Sequence, residues 1–199
     1  YTLTTNVSDA AGNAATVNTG TSFTYDITAP TISGGVAITS ATGIQNNLLN
    51  DGDNVSATVT FSEVVNKTGT PQLTLAVGSD NRTATYASGT GNAPLVFTYT
   101  IQTGDNDTNG ISIRADALAL NSGSTIMDLA ENNAILTHSA VSDNNSYMVD
   151  TEAPRVDNFT LSDTALKIGD NATVTLGFSE AVIEFIAADI NLDNATGTL

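Results

Sequence analysis

The chain has 199 residues and no cysteine, and its 21 acidic residues against 5 basic ones give a formal net charge of −16. The lack of cysteine excludes disulfides, thiolate catalysis and Cys-ligated metal centres. A phosphate backbone is bound through clustered Lys and Arg and would repel so acidic a chain, so we expect no nucleic-acid partner. Cations are the partners that this charge favours, and acidity that serves only solubility is the alternative.

Short alternating runs predict strands along the chain. In "VSATVTF" (Val55–Phe61) and "LVFTYTI" (Leu95–Ile101), apolar side chains alternate with Ser and Thr, and "QLTLAV" and "GISIRA" follow the same pattern. Gly, Asn and Asp clusters separate these runs at intervals of about ten residues, a spacing typical of β-sandwiches. Only "EFIAADINL" (Glu184–Leu192) is compatible with a short helix as well as with a strand. The prediction is an all-β fold of Ig-like, Greek-key β-sandwich modules.

The chain lacks membrane and targeting signals. No apolar run approaches the ~20 residues that span a bilayer, so we expect no membrane insertion in this segment. The sequence opens without Met, in what reads as the middle of a strand, and carries no signal peptide. We therefore expect it to be an internal part of a longer protein. Targeting signals in this segment then cannot indicate where that protein is localised.

Two elements of the sequence occur twice in the same order. "DITAP" at Asp26 returns as "DTEAP" at Asp150, and "GDNVSATVTFSE" returns as "GDNATVTLGFSE", which moves Glu63 to Glu180, 117 residues later. Repetition at a fixed period indicates a tandem array of modules, here of about 120 residues each. We predict the closing strands of one module in residues 1–29, a complete module in 30–152 and the opening strands of a third in 153–199.

The combination of "DITAPTI", "VTFSEVV", the "GDNDTNGI" loop and "DLAENNA" resembles the bacterial Ig-like repeats of giant surface adhesins, the extender modules of repeats-in-toxin (RTX) type and biofilm-associated proteins. The resemblance covers essentially the whole chain. It implies an Ig-like β-sandwich, secretion to the bacterial cell surface and calcium bound at or near the module junctions. One departure is Glu131, which stands where the neighbouring module has Gly12.

The predicted strand order brings acidic residues together at one end of the complete module. Successive strands of a sandwich run up and down, so the strand ending at Glu63 returns to the linker that carries Asp26, and the last hairpin around Asp128 and Asn132 turns at the same end. Clustered carboxylates repel unless a cation or a proton neutralises them. Calcium accepts six to eight oxygen ligands in loose geometry, so we predict a calcium site there.

Further candidate ligands lie at other junctions. At the next junction we expect Asp150 and Glu180, and the first module contributes Asp9 and Asn13. The loop Thr103–Ile111 carries Asp105 and Asp107 in alternation, like the start of an EF-hand loop, but lacks the closing Glu. An ordinary Asx-rich loop explains it equally well.

Enzymatic functions find little support. His138 is the single histidine, and no G-x-S-x-G or phosphate-cradling G-x-x-x-x-G-K-[ST] sequence is present. We predict a non-enzymatic, calcium-stabilised extender repeat of a large, extracellular bacterial adhesin that projects a distal binding region for adhesion and biofilm formation. Neighbouring repeats and calcium ions are its predicted partners. The alternatives are a module that itself binds a glycan or protein, and a spacer in a large secreted enzyme.

Overall fold

The computed structural model describes residues 8–15 and 25–190. The chain forms two compact units, Tyr1–Thr151 and Glu152–Leu199, and each is described here by itself. The predicted division of the first unit at residue 29, and with it the three-module organisation, stays a prediction.

The described part of the first unit consists of strands and connecting loops. The all-β prediction of an Ig-like β-sandwich is confirmed, because antiparallel sheets curl around one apolar core. The strands are β1 (Gly35–Thr42), β2 (Leu48–Leu49), β3 (Asn54–Thr68), β4 (Gln72–Val77), β5 (Asp80–Ser88), β6 (Asn92–Thr100), β7 (Asn106–Asp107), β8 (Leu118–Ala119), β9 (Thr125–Met127) and β10 (Met148–Asp150).

One large antiparallel sheet has the strand order β1-β3-β6-β5-β4-β8, and β9 pairs with the far end of β3. A smaller sheet has the order β2-β10-β7, with β10 parallel to β2 and antiparallel to β7. The pairing of β3 with β6 shifts register between Thr60 and Val65. Such an irregularity bends a strand and redirects its side chains, and Glu63 lies inside it.

The core is built by the alternating residues that the sequence indicated. Val55, Ala57 and Val59 of β3 are fully buried, as are Leu95 and Phe97 of β6. Because successive side chains of a strand point to opposite faces, the Ser and Thr between them lie on the outer face of the sheet. Burial of this kind contributes about 25 cal/mol per Å² of apolar surface removed from water.

The strand predicted from "GISIRA", residues 110–115, is wrong in extent. Residues 110–115 form only single bridges, from Ser112 to Ala76 and from Ile113 to Val141. Side chains, and not a neighbouring strand, accept backbone N–H groups at the ends of this segment. Asp107 accepts the N–H of Gly110, and just beyond the segment the ring Nε2 of His138 accepts the N–H of Ala117. The chain around His138 also forms no ladder, and the N–H of His138 donates to the side chain of Asp116 instead.

The second unit contains a hairpin of β11 (Val156–Leu161) and β12 (Val174–Phe178) within its described residues. A short 3-10 helix, Ala187–Asp189, lies in the segment that the sequence left open between a helix and a strand, so this part of the chain forms a helical turn. Residues 191–199 lie outside the described part. Among the residues that the structure describes, no helix is long and apolar enough to cross a membrane.

Candidate metal centre

The linker that carries Asp26 is fixed beside the end of β3 by backbone and hydroxyl contacts. The N–H of Ser62 donates to the carbonyl of Thr31 at 2.7 Å, and the N–H of Thr31 donates to the Ser62 hydroxyl at 3.0 Å. On the other side of the linker, the N–H of Ile135 donates to the carbonyl of Pro30 at 2.8 Å. Glu63 follows Ser62 directly, so these contacts hold its side chain next to the linker.

The loop at residues 128–132 is closed by its own aspartate. The Oδ1 atom of Asp128 accepts the N–H groups of Ala130 and Asn132 at 2.8 Å, and Oδ2 accepts the side-chain amide of Asn132 at 2.8 Å. The same amide nitrogen donates to the carbonyl of Asp26 at 3.2 Å. Asn132 therefore ties the loop to the linker, and its predicted role as a metal ligand stays a prediction.

These contacts bring Asp26, Glu63 and Asp128 together. One carboxylate oxygen from each lies within 4.8 Å of the other two. Asp128 is buried, with 4% of its surface exposed, and Glu63 is partly buried. None of the ion pairs among the described residues involves these three carboxylates. This arrangement of oxygens, drawn from three separate segments, is one that a hard cation such as Ca²⁺ could bind.

The electrostatics of the cluster act in opposite directions on two of its members. Burial raises the pKa of Glu63 above its ordinary value of 4.5, and the negative charges of Asp26 and Asp128 raise it further. Burial alone would also raise the pKa of Asp128, but hydrogen bonds from Asn132 and the loop backbone outweigh it and lower that pKa. Of these two carboxylates, Glu63 is therefore the one whose charge is less favourable without a cation.

We expect the pH dependence of stability to change sign with calcium. In the metal-free protein, Glu63 has a higher pKa folded than unfolded, so its contribution to stability is present at low pH and is lost as pH rises through the folded pKa. With calcium bound, protons compete with the ion, so lowering the pH through the same window above 4.5 reduces stability. Urea unfolding at pH 5 and 7, with and without calcium, measures both effects as differences from Glu63→Gln. The same sign in both conditions would contradict the assignment.

The loop of residues 9–13 has the same geometry as the loop of residues 128–132. Asp9 accepts the N–H groups of Ala11 and Asn13 and the side-chain amide of Asn13, each at 2.9 Å. The amide of Asn13 and the loop backbone lower the pKa of Asp9. Their predicted part in a metal site stays a prediction, but the two loops share the same three hydrogen bonds to their aspartates.

The departure at Glu131 does not change the loop. Gly12 has φ of 87° and Glu131 has φ of 66°, so both adopt the left-handed conformation. For a residue with a Cβ atom this conformation costs roughly 1–2 kcal/mol. The structure therefore stores strain in the loop that holds Asp128.

We expect Glu131→Gly to stabilise the first unit by about 0.5 to 1 kcal/mol, because glycine adopts this φ without strain but loses more backbone entropy on folding. The free energy of unfolding in urea measures the change. The control Glu131→Gln removes the charge and keeps the Cβ atom, so it should have little effect. Equal stabilisation by Gly and Gln would mean that charge, and not backbone conformation, is responsible.

Asp105 and Asp107 are buried, and their carboxylate oxygens accept hydrogen bonds from other groups of the protein. Asp105 accepts hydrogen bonds from the Arg82 Nε at 2.5 Å, the Tyr99 hydroxyl at 2.6 Å and the Gln102 N–H at 3.0 Å. Asp107 accepts the N–H groups of three loop residues, Gly78, Asn109 and Gly110. These contacts favour the alternative of an ordinary Asx-rich loop over the predicted metal site.

The loop that Asp105 stabilises contacts the end of the first unit. The Thr151 hydroxyl donates to the carbonyl of Asp105 at 2.9 Å and accepts the N–H of Gly104 at 2.9 Å. Asp150 ends β10, and Glu180 follows β12 of the second unit. Since these two residues belong to separately described units, their pairing at a junction stays a prediction.

Ser62 and Ser179 are positioning residues that the sequence reasoning missed. In the second unit the N–H of Ser179 donates to the carbonyl of Arg155 at 2.9 Å, and the N–H of Arg155 donates to the Ser179 hydroxyl at 3.0 Å. This repeats the contact between Ser62 and Thr31 in the first unit. The signal was the Ser in both "FSE" sequences, one position before each acidic residue.

Comparison with known proteins supports the class of fold. Residues 150–199 match the family model described as a bacterial Ig-like domain. The matched segment begins at Asp150 and includes the whole second unit, so this part of the chain is similar in sequence to bacterial Ig-like domains. No curated protein matches the chain, and neither does any solved structure.

Proposed function

We propose that the chain is a calcium-stabilised structural repeat of a large bacterial surface adhesin. Its partners are the neighbouring repeats of the same chain and calcium ions, and its place is outside the cell. Its role is mechanical: each module adds length, and an ion at each junction stiffens the array that carries a distal binding region for adhesion and biofilm formation.

This proposal rests on the observation that the three neighbouring carboxylates come from separate segments of the chain. Asp26 lies before β1, in the segment predicted to be the linker, whereas Glu63 belongs to β3 and Asp128 directly follows β9. A cation bound by all three would fix the linker to the module, and it would offset the burial and the repulsion that raise the pKa of Glu63. Pro30 adds stiffness, since its ring fixes φ in the linker.

Calcium titration of the metal-free chain by calorimetry tests the proposal. We expect Glu63→Gln to weaken calcium binding at least ~10-fold, which corresponds to about 1.4 kcal/mol of lost ligand interaction. The matched control is Glu184→Gln, an exposed position in the second unit that makes the same chemical change. Magnesium should bind more weakly than calcium, because it demands near-octahedral geometry. Equal calcium affinity in both variants and the parent chain would contradict the proposal.

The described residues offer less support for the alternatives. The strongly exposed aromatic side chains among them are Tyr25 at 70% and Phe159 at 61%, one in each unit, and they form no described cluster for a glycan. The His138 ring lines a shallow depression, but Nε2 accepts the N–H of Ala117 and Nδ1 contacts the Ser139 carbonyl at 2.8 Å. Both ring nitrogens thus serve the fold, which supports a non-enzymatic role.

A further inference from the structure

The side chains on the outer face of the large sheet are uncharged and mostly small. The strand registers align five of them in one row across five strands, each directly opposite the next: Ser40, Ser56, Thr98, Thr85 and Gln72. We call this surface the hydroxyl face, and it includes the neighbouring outward positions Ala37, Thr39, Thr42, Asn54, Thr58, Thr60, Thr74, Thr83, Pro94, Val96 and Thr100.

No member of the hydroxyl face is charged, although the chain carries a formal net charge of −16. The acidic and basic residues of the same strands lie elsewhere. Glu63 lies within the register shift of β3 and Lys67 follows it, Asp80 begins β5, and Arg82 points to the buried Asp105. The face is therefore a broad uncharged surface on a strongly acidic molecule.

The polar groups of the face already bond to one another across the strands. Hydroxyl oxygens of Thr39 and Thr58 lie 2.9 Å apart, and those of Ser56 and Thr98 lie 3.0 Å apart. The Thr100 hydroxyl donates to the side-chain oxygen of Asn54 at 2.7 Å. Covering a polar group is costly when it loses its water without gaining a partner, and these groups keep their partners when water leaves.

We propose that the hydroxyl face docks against the same face of a second copy of this chain. Two chains of net charge −16 repel each other over most of their surface, and this face lets them approach without opposing like charges. Two sheets that pack face to face lie about 10 Å apart, with their mean strand directions within about 30° of each other. A glycan is a poorer occupant, since the aromatic side chains of these strands, such as Phe97 and Tyr99, lie on the core side.

The size of the face predicts weak association for one module. Five strands spaced about 4.8 Å apart and about six residues long cover roughly 500 Å², or about 1,000 Å² for both partners. This area lies below the range of standard stable interfaces. Contacts of this kind gain strength when many are linked in one chain, so the face suits the lateral association of arrays. The proposal does not depend on calcium.

Sedimentation equilibrium of the metal-free 199-residue chain at concentrations up to about 1 mM tests the proposal, because weak interfaces show only at high concentration. The variant pair Ser40→Glu with Thr85→Glu adds two charges to the face. The control pair Ala140→Glu with Ser142→Glu adds two charges at exposed positions of a loop. Cooperative thermal unfolding of both pairs verifies that they are folded.

We expect the parent chain and the control pair to self-associate, and the face pair to associate at least ~10-fold more weakly, since like charges facing each other cost several kcal/mol. A parent chain that stays monomeric throughout overturns the proposal. Equal loss in both pairs also overturns it, because net charge alone would then be responsible. Association that neither pair weakens places the interface elsewhere and overturns it as well.

Cross-linking provides an independent readout, because the chain has no cysteine of its own. Thr85→Cys on the face and Ser142→Cys on the loop are both exposed single-thiol variants. Under mild oxidation we expect disulfide-linked dimers of the first to form at least ~10-fold faster, as expected when contact raises the effective concentration of the thiols. Equal rates contradict face-to-face docking.

Discussion

Calcium is expected to raise the melting temperature of the first unit by about 5 to 10 °C. An ion that binds only the folded state adds about 2.7 kcal/mol when its concentration is a hundredfold above Kd. For a unit of this size, each kcal/mol shifts the melting temperature by about 2 to 4 °C. Differential scanning calorimetry in millimolar calcium, compared with excess chelator, measures the difference.

The same pair of scans on two variants locates the effect. In Glu63→Gln most of the calcium-dependent rise should disappear, whereas in Glu184→Gln it should persist. A rise of equal size in both variants would assign the stabilisation to ions elsewhere on this acidic chain. Identical melting temperatures with and without calcium in the parent chain would contradict calcium binding at the three carboxylates. The acidity of the chain would then be explained by solubility.

Asp105→Asn is expected to destabilise the first unit by about 1.5 to 3 kcal/mol, because the buried carboxylate loses the charge-assisted part of its hydrogen bonds. The Asp105 side chain has no exposed surface and contacts both Arg82 and Tyr99. Burial alone would raise the pKa of Asp105, but the hydrogen bonds from Tyr99, Gln102 and Arg82 lower it below its ordinary value of 3.8. The contribution of Asp105 to stability is thus present above pH 3.8 and is lost as pH falls through the lower folded pKa.

The control for this prediction uses the same guanidinium group. Asp80 pairs with Arg82 at 3.1 Å, but its side chain is 57% exposed. Surface pairs of this kind contribute at most about 1 kcal/mol, so Asp80→Asn should change the free energy of unfolding far less. Urea unfolding of both variants measures the comparison, and equal losses would contradict the structural role given to Asp105.

The part of the fold that was predictable rests on local patterns. Alternation of apolar and hydroxyl residues predicted the buried strands, and "QLTLAV" coincides with β4 (Gln72–Val77). Antiparallel order then placed Glu63 beside the linker of Asp26, because a strand that leaves one end of a sandwich returns on the next pass. The repeated letters supported this geometry, since the same contacts with the linker occur at Ser62 and Ser179.

The rest depends on partners distant in sequence. Asp105 reads as a possible calcium ligand until Arg82, 23 residues away, is seen to bond with it. The neighbouring sequence does not distinguish a carboxylate that binds a metal ion from one that pairs with a guanidinium group. The left-handed conformation of Glu131 follows from the closure of its loop by Asp128, and the sequence suggested the opposite by its departure from glycine. The hydroxyl face depends on the registers of five strands, which the sequence did not specify.

Anomalous diffraction from crystals of this chain grown in calcium would locate an ion among the three carboxylates directly. We expect a peak about 2.3 to 2.6 Å from one carboxylate oxygen each of Asp26, Glu63 and Asp128, the range of calcium–oxygen distances in proteins. The peak should vanish in crystals of Glu63→Gln and remain in those of Glu184→Gln. Well-defined density for these carboxylates with no peak between them would contradict the claim that calcium fixes the linker to the module.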